Sequence, residues 1–229
     1  MSEIFQNAFT PQNLAFFGEA VQSTLIVTIV STLLAYLIGV PLGILLYGTS
    51  KNGIFPNRYV NGAVGFVVNV IRSIPFIILL VITQPLAAAV VGTRIGDTAF
   101  IFHLVLAAAP FVARMIESSL REVDNGVIEA AQAMGSTNFQ IMMKVVVPEA
   151  KPSLILGAAI AITTILGYTP MTYLIGGGGL GKGAIQFGLY RNEPDKMYIS
   201  SLLLIILVQF LQEVLNYLAK ACDKRIRNK

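Results

Sequence analysis

Charge is what this chain lacks most: of 229 residues only 12% are Asp, Glu, Lys or Arg, against roughly a quarter in an ordinary soluble domain. Cysteine is nearly absent as well. The single Cys222 excludes an intramolecular disulfide framework, and Cys/His clusters with metal-ligand spacing are missing, which excludes a structural zinc. There is one histidine, His103, with no Asp, Glu or Cys at helical spacing beside it, so it reads as a packed side chain rather than a ligand or relay. Ahead of Lys51 there is no Lys or Arg, so the basic start of a cleaved leader is missing and the first apolar run is expected to stay in the mature protein. The net charge of +4 does not suggest nucleic acid, because the basic residues stand beside apolar segments rather than along one polar surface.

What is present is apolar sequence in long runs. Ala20 to Ser50 and Pro152 to Gly181 carry no ionisable side chain, and about 20 apolar residues suffice to cross a bilayer as a helix. The fold class is therefore an all-α polytopic membrane bundle, with residues 1–229 as a single transmembrane domain. Five spans are expected at about Val21–Leu46, Tyr59–Ile82, Thr98–Met115, Ser153–Thr172 and Met197–Leu218. The stretch after Arg72 contains Pro75 and Pro85 and reads as one kinked span followed by a short segment at the far interface. Lys51, Arg58, Arg121, Lys144, Lys151, Lys220, Lys224, Arg225, Arg227 and Lys229 fall on one side, ten residues against the four of Arg94, Lys182, Arg191 and Lys196. That asymmetry places the C-terminus in the cytoplasm and the N-terminus outside.

The third loop, about Ile116–Lys151, carries two helical patterns in succession. Val127, Ala130, Ala131 and Met134 stand at i, i+3, i+4 and i+7, and Phe139, Met142, Met143 and Val146 repeat the spacing. Gly135 separates them as a helix end, Ser136 is available as the next N-cap, and Pro148 and Pro152 are expected to stop the pattern. Two such stripes either pack on the protein's own spans, lie in the membrane interface, or enter a groove on a soluble partner.

The residues themselves are more specific than the periodicity. Glu129-Ala130-Ala131, three residues, Gly135, nine residues and then Val145-Val146-Val147-Pro148 resemble the EAA signature of bacterial ABC importer permeases. Val145 and Val147 stand where the signature has Ile and Leu. The resemblance implies a coupling helix that docks in a cleft of a cytoplasmic ATPase, with Glu129, Ala130, Ala131, Met134, Gly135 and Phe139 as the coupling residues. Arg72-Ser73-Ile74-Pro75-Phe76, Ala108 to Arg114, and Gly176-Gly177-Gly178-Gly179-Leu180-Gly181 look like the methionine-uptake group of these importers. This likeness runs from about Thr24 to Gly188. It implies a homodimer of permeases, two ATP-binding subunits below, an extracytoplasmic substrate-binding protein or lipoprotein above, and surrounding membrane lipid. ATP and magnesium are used by the ATPase, with no cofactor bound directly to the permease. Met171, after Pro170, resembles the position of gate-forming side chains in the family and is equally compatible with core filling; Tyr168 and Pro170 adjoin it. Bulky Tyr173 and Leu174 depart from the small residues usual there, which leaves cystine, another amino acid or a short peptide as alternative cargo to methionine.

Gly176 to Lys182 mimics a phosphate-binding loop and a dinucleotide fingerprint, but it follows a span rather than a buried strand, and Gly183 stands where magnesium binding needs Ser or Thr. The four glycines read instead as permitting close approach or positive φ. Arg72 and Arg114 are costly inside a membrane and are either paired, functional or at a helix end. Glu117 and Arg121 at i, i+4 read as a surface pair. Serine–histidine–acid arrangements and paired membrane carboxylates are missing, which disfavours a hydrolase and a proton-coupled carrier. An ATP-independent channel or carrier, or a recruiting scaffold, are the rivals from other classes, separated by whether flux requires an ATPase and ATP.

Overall fold

The computed structural model describes the backbone of residues 10–222 and the side chains of 10–217. Lys224, Arg225, Arg227 and Lys229, and the side chains of Lys220 and Cys222, lie outside the described residues. All regular structure among the described residues is helical. In chain order these are α1 (Pro11–Thr49), α2 (Arg58–Ser73), α3 (Phe76–Ile82), α4 (Gln84–Val91), α5 (Gly96–Arg121), α6 (Asn125–Ala133), α7 (Asn138–Ile141), α8 (Val147–Glu149), α9 (Lys151–Tyr168) and α10 (Pro194–Cys222). A π-helix joins α7 to α8 over Met142–Val146, a 3₁₀-helix continues α9 over Thr169–Ile175, and a second π-helix covers Lys182–Tyr190.

Among the described residues four helices are long and apolar enough to cross a membrane: α1, α5, α9 with its 3₁₀ extension, and α10; a fifth span results if α2 and α3 count together. The first, third, fourth and fifth expected spans are found as such helices. The second differs in form, because α2 and α3 meet at 102° instead of a modest kink. Pro75 supplies no N–H and forces the residue before it out of the helical region; Ile74 sits at φ −85°, ψ 123°. The helix stops there, and α3 starts with its own bond from the Leu79 N–H to the Pro75 carbonyl.

The chain forms two compact units: Met1–Leu33, Pro75–Leu106 and Ile162–Gln212 in the first, Leu34–Ile74, Ala107–Ala161 and Glu213–Lys229 in the second. Helices α1, α5, α9 and α10 contribute to both. In the first unit, Ala20, Leu166, Leu180 and Leu207 form a buried cluster with Leu25 and Leu204 packed on it. Three buried threonine hydroxyls here bond along their own helix: Thr24, Thr28 and Thr32 donate to the carbonyls of Ala20, Thr24 and Thr28 at 2.7–2.8 Å. His103 is fully buried, its Nδ1 2.9 Å from the Thr83 hydroxyl, which in turn donates to the Leu79 carbonyl at 2.6 Å.

In the second unit α1 approaches α5 through two glycines four apart, a spacing that lets membrane helices come together at backbone distance. A Cβ on Gly39 would stand 2.6 Å from Val112 Cγ1, and one on Gly43 the same distance from the Ala113 carbonyl oxygen and Ile116 Cβ. Leu46, Val68 and Ala113 close the core beside them. Gly43→Leu is expected to separate α1 from α5 and cost about 1–3 kcal/mol, the usual range for overpacking. A lowered thermal midpoint of the detergent-solubilised protein, with Leu45→Ala on the exposed side of α1 as a near-neutral control, checks it.

Candidate functional site

The segment between α5 and α9 belongs wholly to the second unit. Asp124 caps α6 by accepting from the Gly126 N–H at 2.6 Å. At its other end Gly135 takes φ 77°, its N–H bonds the Gln132 carbonyl, and the Ser136 N–H bonds the Ala131 carbonyl. This paired closure is the Schellman end that a left-handed glycine permits. The next helix starts one residue later than expected. Thr137, not Ser136, is the N-cap, and it makes a capping box: Gln140 N–H donates to the Thr137 hydroxyl, and Thr137 N–H donates to Gln140 Oε1. A Gln three residues on completes that box at Thr137, whereas Ser136 has Phe139 there.

Pro148 and Pro152 do not stop the helical path as expected. The π-turn at Met142–Val146 widens the bonding so that the Val147 N–H reaches the Met142 carbonyl, and the chain passes Pro148 in the first turn of α8. Only Ala150 separates α8 from α9. The loop is pinned at three points: Asn138 Nδ2 donates to the Ile54 carbonyl at 3.1 Å, the Ser153 hydroxyl to Glu122 at 2.6 Å, and Met142 reaches Gly48 and its neighbourhood.

The stripes divide sharply between covered and uncovered members. Ala131, Ile141, Met142 and Val146 are buried. Met134 is 79% and Phe139 69% exposed, and Val127 and Met143 are exposed too. Glu129 and Ala130 lie on the open side. Of the residues assigned to coupling, Ala131 therefore anchors α6 while Glu129, Ala130, Met134 and Phe139 remain uncovered around the Gly135 turn.

Just before this loop, α5 carries a charge cluster that periodicity alone had reduced to a surface pair. Glu117 is only 5% exposed. Its two oxygens accept from Arg114 Nη1 and Arg121 Nη2, each at 2.7 Å. Arg114 Nη2 continues to Asn69 Oδ1 at 2.9 Å and the Gly65 carbonyl at 3.2 Å on α2. Arg114 is thus paired and joins α2 to α5. Arg72 is exposed in the last turn of α2.

The residues assigned to the gate belong to the first unit. Tyr168 stacks on Phe76 with centroids 4.8 Å apart. Pro170 lies in the first turn of the 3₁₀-helix, packs its backbone against Gly181, and borders an apolar crevice of about 220 Å³ with Leu166, Leu204 and Val208. Met171 is half-buried on the same turn. Tyr173 meets Tyr190 at 6.2 Å, and Leu174 is exposed. The glycine run does make the close approaches expected of it, but to partners that no motif had indicated. Gly178 N–H donates to Asp97 Oδ1 at 2.6 Å, the Ser23 hydroxyl to Asp97 Oδ2 at 2.7 Å, and the Leu180 N–H to the Thr24 hydroxyl at 2.9 Å. One signal was in the sequence: Asp97 is the sole acid between Glu19 and Glu117.

Residues 39–228 match the family described as binding-protein-dependent transport system inner membrane component. The chain is 42% identical over 206 residues to the probable D-methionine transport system permease protein MetI of Vibrio cholerae, covering 90% of this chain and 92% of that protein. To the methionine import system permease protein MetP of Bacillus subtilis it is 39% identical over 181 residues, 79% and 82% of the two chains. A solved structure described as inward-facing conformations of the MetNI methionine ABC transporter superposes with a TM-score of 0.91 at 40% identity, over 94% of this chain and 100% of that one. A bundle of apolar spans, an intervening helical loop with the Glu129-Ala130-Ala131 and Gly135 signature, and these likenesses converge: the chain belongs to the inner-membrane permease subunits of binding-protein-dependent ABC importers, and is a non-catalytic, multi-pass inner-membrane protein.

Proposed function

We propose that this chain is the permease of an ATP-driven methionine importer, working as a homodimer with two cytoplasmic ATP-binding subunits and an extracytoplasmic binding protein. Identities of 39–42% across most of the chain to proteins named for methionine transport support the cargo. The single observation that carries the coupling role is the uncovered apolar turn, with Met134 79% and Phe139 69% exposed on a helical segment that is otherwise firmly pinned. An apolar surface offered on rigid helices suits a groove on a soluble partner. Glu129 adds carboxylate acceptors beside it, and Ala130 permits close backbone approach.

The mechanism follows from that geometry. Closure of the ATPase subunits on ATP displaces α6 and α7. The displacement passes to the spans through Ala131 and Met142, which are seated in the protein's own core, and through Asn138, which holds the α1–α2 connection. The ATPase thus biases a two-state permease by binding one state better than the other. With the loop on the cytoplasmic face, the C-terminus is cytoplasmic and the N-terminus outside, as the distribution of Lys and Arg supports. Met171 and its neighbours Tyr168 and Pro170 act at the gate, where the helix narrows to 3₁₀ geometry.

Met134→Asp with Phe139→Asp is expected to abolish co-purification of the ATPase while leaving the permease in the membrane, since both side chains are exposed and contribute little to its own core. Retained co-purification would remove the turn from the coupling site. Glu129→Lys or Gly135→Pro is expected to preserve dimerisation and ATP hydrolysis but to uncouple hydrolysis from uptake. Met171→Ala is expected to raise passive leak of labelled methionine through proteoliposomes; unchanged flux would take Met171 out of the gate.

A further inference from the structure

Asp97 lies in the first turn of α5, where the helix N-terminus favours a carboxylate. Its two oxygens hold two different parts of the first unit. Oδ2 accepts the Ser23 hydroxyl of α1 at 2.7 Å, and Oδ1 accepts the backbone N–H of Gly178 at 2.6 Å. The glycine turn is secured on both sides of that bond: the Thr172 hydroxyl donates to the Gly178 carbonyl at 2.7 Å, and the Leu180 N–H to the Thr24 hydroxyl at 2.9 Å. Side chains are excluded at Gly177, Gly179 and Gly181. A Cβ on Gly177 would stand 2.8 Å from Asp97 Oδ1, one on Gly179 the same distance from Thr24 Oγ1, and one on Gly181 would run into the Pro170 backbone. Gly176 and Gly179 also require φ of 71° and 87°. The run is thus moulded onto α1, Asp97 and the 3₁₀-helix that bears Met171.

We propose that Asp97 is a positioning residue for the gate: it anchors the 176–181 turn to α1 and so fixes the 3₁₀-helix 169–175 at the height where Met171 can close. The inference rests on Met171 being at the gate. Asp97 touches no cargo; it acts through the turn. Because Gly177, Gly179, Leu180 and Gly181 are buried and the polar positions named above are bonded, the turn is a fixed point of the transport cycle rather than a moving latch. Losing one charge-assisted hydrogen bond shifts a seated-to-unseated ratio by at least about tenfold, and Asp97→Ala loses two.

The geometry supplies a direct test. A Cβ on Gly178 would lie 3.5 Å from Ser23 Cβ, within the Cβ separation of about 3.5–4.5 Å that a disulfide spans. In a background with Cys222→Ser, the permease, ATPase and binding protein are reconstituted in proteoliposomes, and uptake of labelled methionine per ATP hydrolysed is measured together with leak in the absence of ATP. Asp97→Ala is expected to raise leak and lower uptake per ATP by about tenfold. Adding Ser23→Cys and Gly178→Cys and oxidising the pair is expected to restore both values to within about twofold of the Cys222→Ser parent, with dithiothreitol reversing the rescue. The oxidised pair with Asp97 intact is expected to transport normally. Normal coupling in Asp97→Ala, failure of the formed cross-link to rescue, or arrest of transport by the cross-link with Asp97 present would each overturn the anchor. If Asp97→Ala does not assemble, Asp97→Asn, which keeps an acceptor for Gly178 and loses the charge, is read by the same leak and the same rescue. Met171→Ala alone separates the two ideas: unchanged leak there with a rescued leak in Asp97→Ala would reject Met171 as the gate residue and retain Asp97 as the anchor.

Discussion

A hydrocarbon environment offers no hydrogen-bond partner, so each polar group in a span has to be answered by the protein itself. Several polar groups show how that constraint is met. Thr24, Thr28 and Thr32 return their protons to their own helix. The Arg114 guanidinium is met by Glu117, Asn69 and the Gly65 carbonyl. Where the backbone departs from helix altogether, at Gly176–Gly181, a carboxylate and two threonine hydroxyls take up N–H and carbonyl groups that would otherwise be left bare. Irregularity is thus placed where side chains can hold it.

The segment after α5 is governed by the opposite condition. Water satisfies its polar groups readily, and the cost there falls on uncovered apolar surface. The helices solve half of that problem by burying Ala131, Ile141, Met142 and Val146 in the second unit, and leave Met134 and Phe139 open. A capping box, a Schellman turn and a π-turn past Pro148 give the open face a defined shape. Such rigidity lowers the ordering cost of association, so an apolar face of this kind serves a partner better than a flexible loop would.

Much of this was legible in the residues. Uncharged runs located the spans, because hydrophobic length is a local property, and the spacing from Glu129 through Gly135 to Pro148 located the loop. What escaped was set by contacts distant in sequence. Pro75 announced a break, but its size, 102° between α2 and α3, is not written in the local sequence. Glu117 looked like a solvated partner of Arg121 until Arg114 and burial were seen with it. The partners of the glycine run lie 74 and 81 residues apart from one another along the chain, Ser23 from Asp97 and Asp97 from Gly178, and no periodicity reports them. The choice of Thr137 over Ser136 was decided by Gln140, a local signal that the sequence did contain.

The central claim is that the open turn between α6 and α7 is the surface on which the ATPase acts. Amide hydrogen exchange of the detergent-solubilised permease, measured alone and with its ATP-binding subunits, tests it most directly. Slowed exchange concentrated in 125–143 is expected when the ATPase is bound, with a further change there on adding a non-hydrolysable ATP analogue. Protection elsewhere with 125–143 unchanged would contradict it.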